Sequence, residues 1–126
     1  MMMQMIKQSL SVIIWSENPD KLAKWYKDTF NLVPGPSTTL PNDYCIGFDF
    51  GSNYFSIGKH DKVSGNNKDP YRIMIGFDVD SVSEMYKKIK DKAVILIPPF
   101  LAPPGGFYCM TIEDPEKNII QFFGEK

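Results

Sequence analysis

The chain has one histidine, His60, and so cannot assemble a histidine-rich metal site from its own residues. It has two cysteines, Cys45 and Cys109, both inside strand-like runs. One bridge would be a poor scaffold for a secreted protein, so both read as free thiols. Charge of one sign is not in excess: 14 Lys and Arg stand against 15 Asp and Glu, a formal net charge of -1. That leaves no electrostatic case for nucleic acid or for an anionic membrane. No apolar run is long enough to span a bilayer. Met1-Met2-Met3-Gln4-Met5 is short and is followed by Lys7, so it reads as neither signal peptide nor membrane anchor. The expected compartment is the cytoplasm. A Gly-x-Ser-x-Gly elbow and a phosphate-binding glycine loop are both missing.

What remains is ordinary for one globular domain: 126 residues, 43% hydrophobic and 23% charged. Residues 9–15 alternate, with Leu10, Val12 and Ile14 on one side and Ser11, Ile13 and Trp15 on the other, which predicts a strand. Asn18-Pro19 then starts a helix, as cap and first helical residue. Leu22, Trp25, Tyr26 and Phe30 form its apolar stripe, and Asn31 suits its left-handed end. Residues 33–42 hold Pro34, Gly35, Pro36 and Pro41 and read as a loop with at most a short edge strand. Residues 43–50 and 54–58 form a hairpin around Gly51-Ser52-Asn53. Residues 60–70 read as an exposed polar linker, with His60 a solvated loop residue.

The pattern then restarts. Residues 72–79 predict a strand with Ile73, Ile75, Phe77 and Val79 on one face. Ser81 and Glu84 form a capping box, and Val82, Met85, Tyr86 and Ile89 the stripe of a second helix. Residues 93–97 are a strand ending at Pro98-Pro99, followed by a stiff loop through Gly106. Residues 107–113 and 119–123 close the chain as a hairpin around Asp114-Pro115-Glu116-Lys117-Asn118. Ser11 falls on Met74, an offset of 63, and Ser56 on Gln121, an offset of 65. Such a repeat predicts an α+β fold of two tandem βαβββ modules. Module one covers about residues 5–60, the linker 61–70 and module two 71–126. The helices would lie on the outer face of a curved mixed sheet that wraps a cavity.

Several runs in this order resemble the vicinal oxygen chelate superfamily. They are Val12-Ile13-Ile14 with Asn18-Pro19, Trp25-Tyr26-Lys27-Asp28 with Phe30-Asn31-Leu32, Phe77-Asp78-Val79-Asp80, and Asp114-Pro115-Glu116-Lys117-Asn118. Lys117 stands where that superfamily usually has glycine. Its members include glyoxalase I, fosfomycin-resistance proteins, extradiol dioxygenases and bleomycin-binding proteins. The resemblance covers essentially the whole chain and implies paired βαβββ modules and, commonly, a homodimer. It also implies where metal ligands would stand: histidine at Ser11 and Met74, glutamate at Ser56 and Gln121. None of the four is an imidazole, carboxylate or thiolate, so no metal and no cofactor is expected.

The expected site is therefore a small-molecule cavity. In the first module Ser11, Ile13, Trp15, Ile46, Phe48, Tyr54 and Ser56 are placed on the face away from the helix. In the second, Arg72, Met74, Thr111 and Gln121 are, with Asp78 beside them. The aromatics could stack on a planar ligand and Arg72 could hold a carboxylate or phosphate. The expected function is metal-independent binding of a small, partly aromatic molecule. One alternative is a glyoxalase-like lyase or other enzyme of the superfamily with an atypical site, for which Glu113 is a conceivable base. The other is an interaction protein whose pocket is filled by its own side chains. No catalytic residue follows from the sequence.

Overall fold

A computed structural model of the chain describes residues 4–7, 9–39, 41 and 44–126. The first unit, residues 1–64, contains β1 (Ser11–Ser16), α1 (Pro19–Phe30), β2 (Thr38–Thr39), β3 (Tyr44–Phe50) and β4 (Asn53–Lys59). The second, residues 65–126, contains β5 (Ile75–Ser81), α2 (Val82–Ile89), β6 (Val94–Leu101), β7 (Tyr108–Glu113) and β8 (Ile119–Glu125). Each unit is thus a βαβββ module. The sheet orders are the same: β1-β4-β3-β2 and β5-β8-β7-β6. In each, the first and last strands pair in parallel and the other pairings are antiparallel. The repeat read from the sequence is therefore a repeat of topology. Among the described residues no helix is long and apolar enough to cross a membrane.

Local sequence explains both helices. Pro19 begins α1 where its missing N–H costs nothing, and Asn31 ends it in the left-handed region at φ 56°. The Leu32 N–H then donates to the Lys27 carbonyl, 3.2 Å. Asn18 occupies the cap position, but its side chain makes no capping bond. At α2 the Ser81 hydroxyl accepts from the Glu84 N–H, 3.2 Å, as the Ser-x-x-Glu spacing predicts.

The first core lies between α1 and its sheet. Leu22, Tyr26 and Phe30 are buried there with Ile14, Phe55 and Ile57. Tyr26 stacks on Phe55 with centroids 5.6 Å apart, and Phe48 stacks on Phe55 at 5.9 Å. In the second unit Val82 and Ile89 of α2 are buried, as are Met110, Ile112, Ile120 and Phe122 of β7 and β8.

Several strand boundaries differ from the sequence reading. The strand expected at residues 72–79 starts only at Ile75. Asp69-Pro70-Tyr71-Arg72 is instead a turn, closed by the Arg72 N–H on the Asp69 carbonyl at 3.2 Å, with proline at its second position. The strand expected to stop at Ile97 runs on to Leu101. β6 is an edge strand, and register shifts flanking Ile97 absorb Pro98-Pro99. The linker is not wholly free: the Asn67 N–H donates to the Glu116 carbonyl, 2.8 Å, and its amide to Asn118 Oδ1, 3.0 Å. Asp43, expected in β3, lies outside the described residues.

Candidate functional site

Each sheet has a second face, opposite its helix, and strand register decides what stands on it. In the first unit Ser11 lies beside Tyr54, Ile13 beside Ser56, and Trp15 beside Gly58. All three pairs are on the face away from α1, as alternation predicts. Trp15 lies over Gly58: a methyl group there would stand 2.9 Å from the indole and 2.6 Å from Cys45 Sγ. The indole also meets His60 edge-on, with centroids 5.1 Å apart. His60 Nδ1 lies 3.2 Å from Asp61 Oδ1 and accepts from the Lys62 N–H at 3.1 Å.

Ile46 and Phe48 do not share this face, contrary to the sequence reading. They pair with Ile57 and Phe55 and turn toward α1, where Phe48 is buried. Gly47 sets that phase. A methyl group at residue 47 would stand 1.7 Å from the Pro36 carbonyl oxygen, so only glycine fits under the segment that crosses there. The residues before and after it must then face the helix.

In the second unit the parallel pair β5–β8 sets Gly76 beside Gln121 and Asp78 beside Phe123, and β7 sets Thr111 on Gln121's other side. The Gln121 amide donates to Thr111 Oγ1 at 3.3 Å. Thr111 is buried and Gln121 half-buried. Cys109 is buried on the same face, and burial pushes its thiol up from the ordinary value. Phe123 leans over Gly76, and Phe107 meets Phe123 edge-on at 6.0 Å. Asp78, Val79, Phe107, Phe123 and Gly124 line a shallow, largely open hollow of about 410 Å³.

Two expected members are displaced from this group. Arg72 lies in the turn before β5, exposed, with its side chain on Asp69 Oδ2 at 2.5 Å. It is committed to a local ion pair and stands on no strand. Met74 precedes β5 by one residue and is exposed. Gly76 and Phe107 were missed. A glycine inside a strand signals close approach by another group, which here is the Phe123 ring.

The donor chemistry at these positions does not fit a resident transition metal. Ser11 and Ser56 offer hydroxyls, Met74 a thioether and Gln121 an amide. On the first strand of each sheet the residues beside Ser56 and Gln121 are Ile13 and Gly76, which have no donor side chain. On the other side stand Gly47 and Thr111, of which Thr111 offers only a hydroxyl. Among the described residues no group of three or more His, Cys, Asp or Glu side chains converges as a metal site would.

No family model and no curated protein matches the chain in sequence. Solved structures do match in shape. A mutant of glyoxalase I from Zea mays is 16% identical with a TM-score of 0.76, the match covering 90% of this chain and 43% of that one. The chain thus spans less than half the length of the maize protein. A member of the glyoxalase/bleomycin resistance protein/dioxygenase superfamily from Sphaerobacter thermophilus is 19% identical over 97% of this chain and 100% of its own, with a TM-score of 0.76. Lactoylglutathione lyase from Agrobacterium tumefaciens is 17% identical over 96% of both chains, with a TM-score of 0.68. The tandem βαβββ chain described here has the fold of the glyoxalase/bleomycin resistance protein/dioxygenase superfamily.

Proposed function

We propose that this protein binds a small, partly aromatic organic molecule on the helix-free face of its second sheet, without a resident metal. The observation that carries the reading is the pair Gly76 and Gln121. At the position where the resemblance implies a glutamate ligand a neutral amide stands, and its neighbour on β5 has no side chain. Phe123 fills the space that a donor at residue 76 would need. What the face offers instead is a hydrogen-bonding pair, Gln121 and Thr111, next to aromatic rings. Apolar walls with a few placed polar groups are the usual make-up of a small-molecule site.

Two measurements on the purified protein test this together. Elemental analysis of protein prepared without chelator should find no stoichiometric zinc, iron, manganese or nickel. A thermal-shift screen of aromatic metabolites should find compounds that raise the melting temperature, and Gln121→Ala should weaken them. A stoichiometric metal would instead support an enzyme of the lyase kind. Exposed Val94, Ile97 and Leu101 on edge strand β6 support the proposal of a homodimer. Light scattering at micromolar concentration reads the mass directly.

A further inference from the structure

The two units differ where a carboxylate replaces an indole. In the first unit the β1 residue is Trp15 and its β4 partner is Gly58. In the second the equivalent β5 residue is Asp78 and its β8 partner is Phe123. Trp15 is spent on local packing, since its ring covers Gly58. Asp78 is exposed, and among the described residues no ion pair engages it. It stands on the wall of the 410 Å³ hollow that Phe107 and Phe123 also line. The neighbouring hollow shares Asp78 and adds Asp80, Glu84 and Lys88; Glu84 is paired with Lys87 at 3.4 Å, so three carboxylates face two amines.

A carboxylate in water needs no partner. Beside two aromatic rings, however, it completes a pairing with a definite chemistry. The ring faces carry negative quadrupole and attract a cation, and the carboxylate attracts the same charge. An anionic ligand is repelled by Asp78, and a neutral one gains nothing from it. The polar pair Gln121–Thr111 lies further along the same face of β8 and β7. A ligand with a planar body and a protonated amine matches this order of groups.

We infer that the hollow bounded by Asp78, Phe107 and Phe123 is a site for an organic cation, an aryl-alkyl ammonium compound, with Asp78 as its counter-charge. This rests on the small-molecule reading above and names the ligand class for the same face.

The test uses three probes that share a phenylethyl body and differ in its terminal group, on the whole chain: 2-phenylethylamine, 2-phenylethanol and 3-phenylpropionate, by calorimetric titration at neutral pH and low salt. The amine should bind roughly tenfold more tightly than the alcohol, and the carboxylate most weakly. Asp78→Asn should bring amine and alcohol to within about twofold of each other, and 0.5 M salt should narrow the wild-type difference. Because Asp78 is exposed, the variant is expected to keep the wild-type melting temperature. Phe107→Ala should weaken amine and alcohol alike. Equal binding of amine and alcohol by the wild type, or a preference that survives Asp78→Asn, overturns the cation assignment while leaving small-molecule binding intact. Failure of all three probes, and of the broader aromatic screen, overturns both.

Discussion

The ring of Phe123 lies on Gly76: a methyl group added at residue 76 would stand 2.7 Å from its Cε2. The glycine of β5 and the phenylalanine of β8 are thus one packed unit on the helix-free face. Gly76→Ala should cost about 1–2 kcal/mol, because the ring must swing away. Gly124→Ala should cost more, about 3 kcal/mol, since its methyl would meet the Val79 backbone carbonyl oxygen at 2.0 Å, which cannot swing. Urea denaturation of the two variants checks the order. Adding Phe123→Ala should relieve Gly76→Ala, so the double mutant should lose less than the sum of the singles.

Asp114 is buried, and its carboxylate organises the last hairpin. Oδ1 accepts from the N–H groups of Glu116, 2.8 Å, and Asn118, 2.9 Å, and Oδ2 accepts from Asn118 Nδ2, 2.8 Å. Asp114→Ala strips three donors of their acceptor at once and should cost about 3 kcal/mol. Asp114→Asn keeps one carbonyl oxygen but sets its own NH2 among donors, and should cost about 1–2 kcal/mol. Chemical denaturation should rank wild type, Asn and Ala in that order. A neutral Asp114→Ala would mean the turn holds itself without the carboxylate.

Lys117 sits in the left-handed region at φ 66° and is exposed. A side chain there carries a steric cost that glycine does not. Lys117→Gly should therefore raise stability by about 0.5–1 kcal/mol, after subtracting the extra freedom of glycine in the unfolded chain. The denaturation midpoint checks it, with a lowered midpoint as the contrary result.

The same turn shows how much could be read in advance. Asp114-Pro115 and Asn118 have local chemistry that sequence displays, and the structure places each in its expected role. The same holds for Asn31 ending α1 and Ser81 capping α2. The phase of β3 was legible but misread. Tyr44, Ile46, Phe48 and Phe50 share one parity and Cys45, Gly47 and Asp49 the other, so alternation alone turns Ile46 and Phe48 toward the helix, and the Pro36 carbonyl above Gly47, eleven residues away in the chain, agrees with it. Arg72 was misplaced for a different reason. Asp69-Pro70 carries the same turn signature as Asp114-Pro115, yet the apolar alternation beyond it outweighed that signature. At the site, Gln121, Thr111, Tyr54 and Trp15 could be assigned a face from alternation alone. Gly76 and Phe107 could not be linked to Phe123, because that link is a ring position, which no pattern of residues specifies.

Placing a carboxylate at residue 121 probes the metal argument from the other side. Gln121→Glu supplies one anionic donor, but its strand neighbours remain Gly76 and Thr111. One carboxylate and a hydroxyl do not hold a divalent transition ion. Titration with zinc or nickel should show no micromolar binding by this variant. Tight, stoichiometric binding would mean that donors converge there which the register does not place side by side.

The Cys109 thiol gives a prediction in pH. Burial raises it, while hydrogen bonding with Thr111 and with the Met110 backbone opposes the shift less strongly. A folded thiol that holds its proton more tightly than an unfolded one stabilises the fold fully below the unfolded value, about pH 8.5. That contribution is lost as pH rises through the folded value. Wild-type stability should therefore decline from about pH 8.5 upward, and Cys109→Ala should flatten the decline. The Tyr44 phenol is also raised, chiefly by its hydrogen bond to Asp20 at 2.9 Å, so its own decline sets in only near the ordinary 10.0, above the onset of the Cys109 decline. Alkylation of the native protein at pH 8 should label half-buried Cys45 before Cys109, and tryptic mass mapping tells them apart. Faster labelling of Cys109 would show that the β7 face opens in solution.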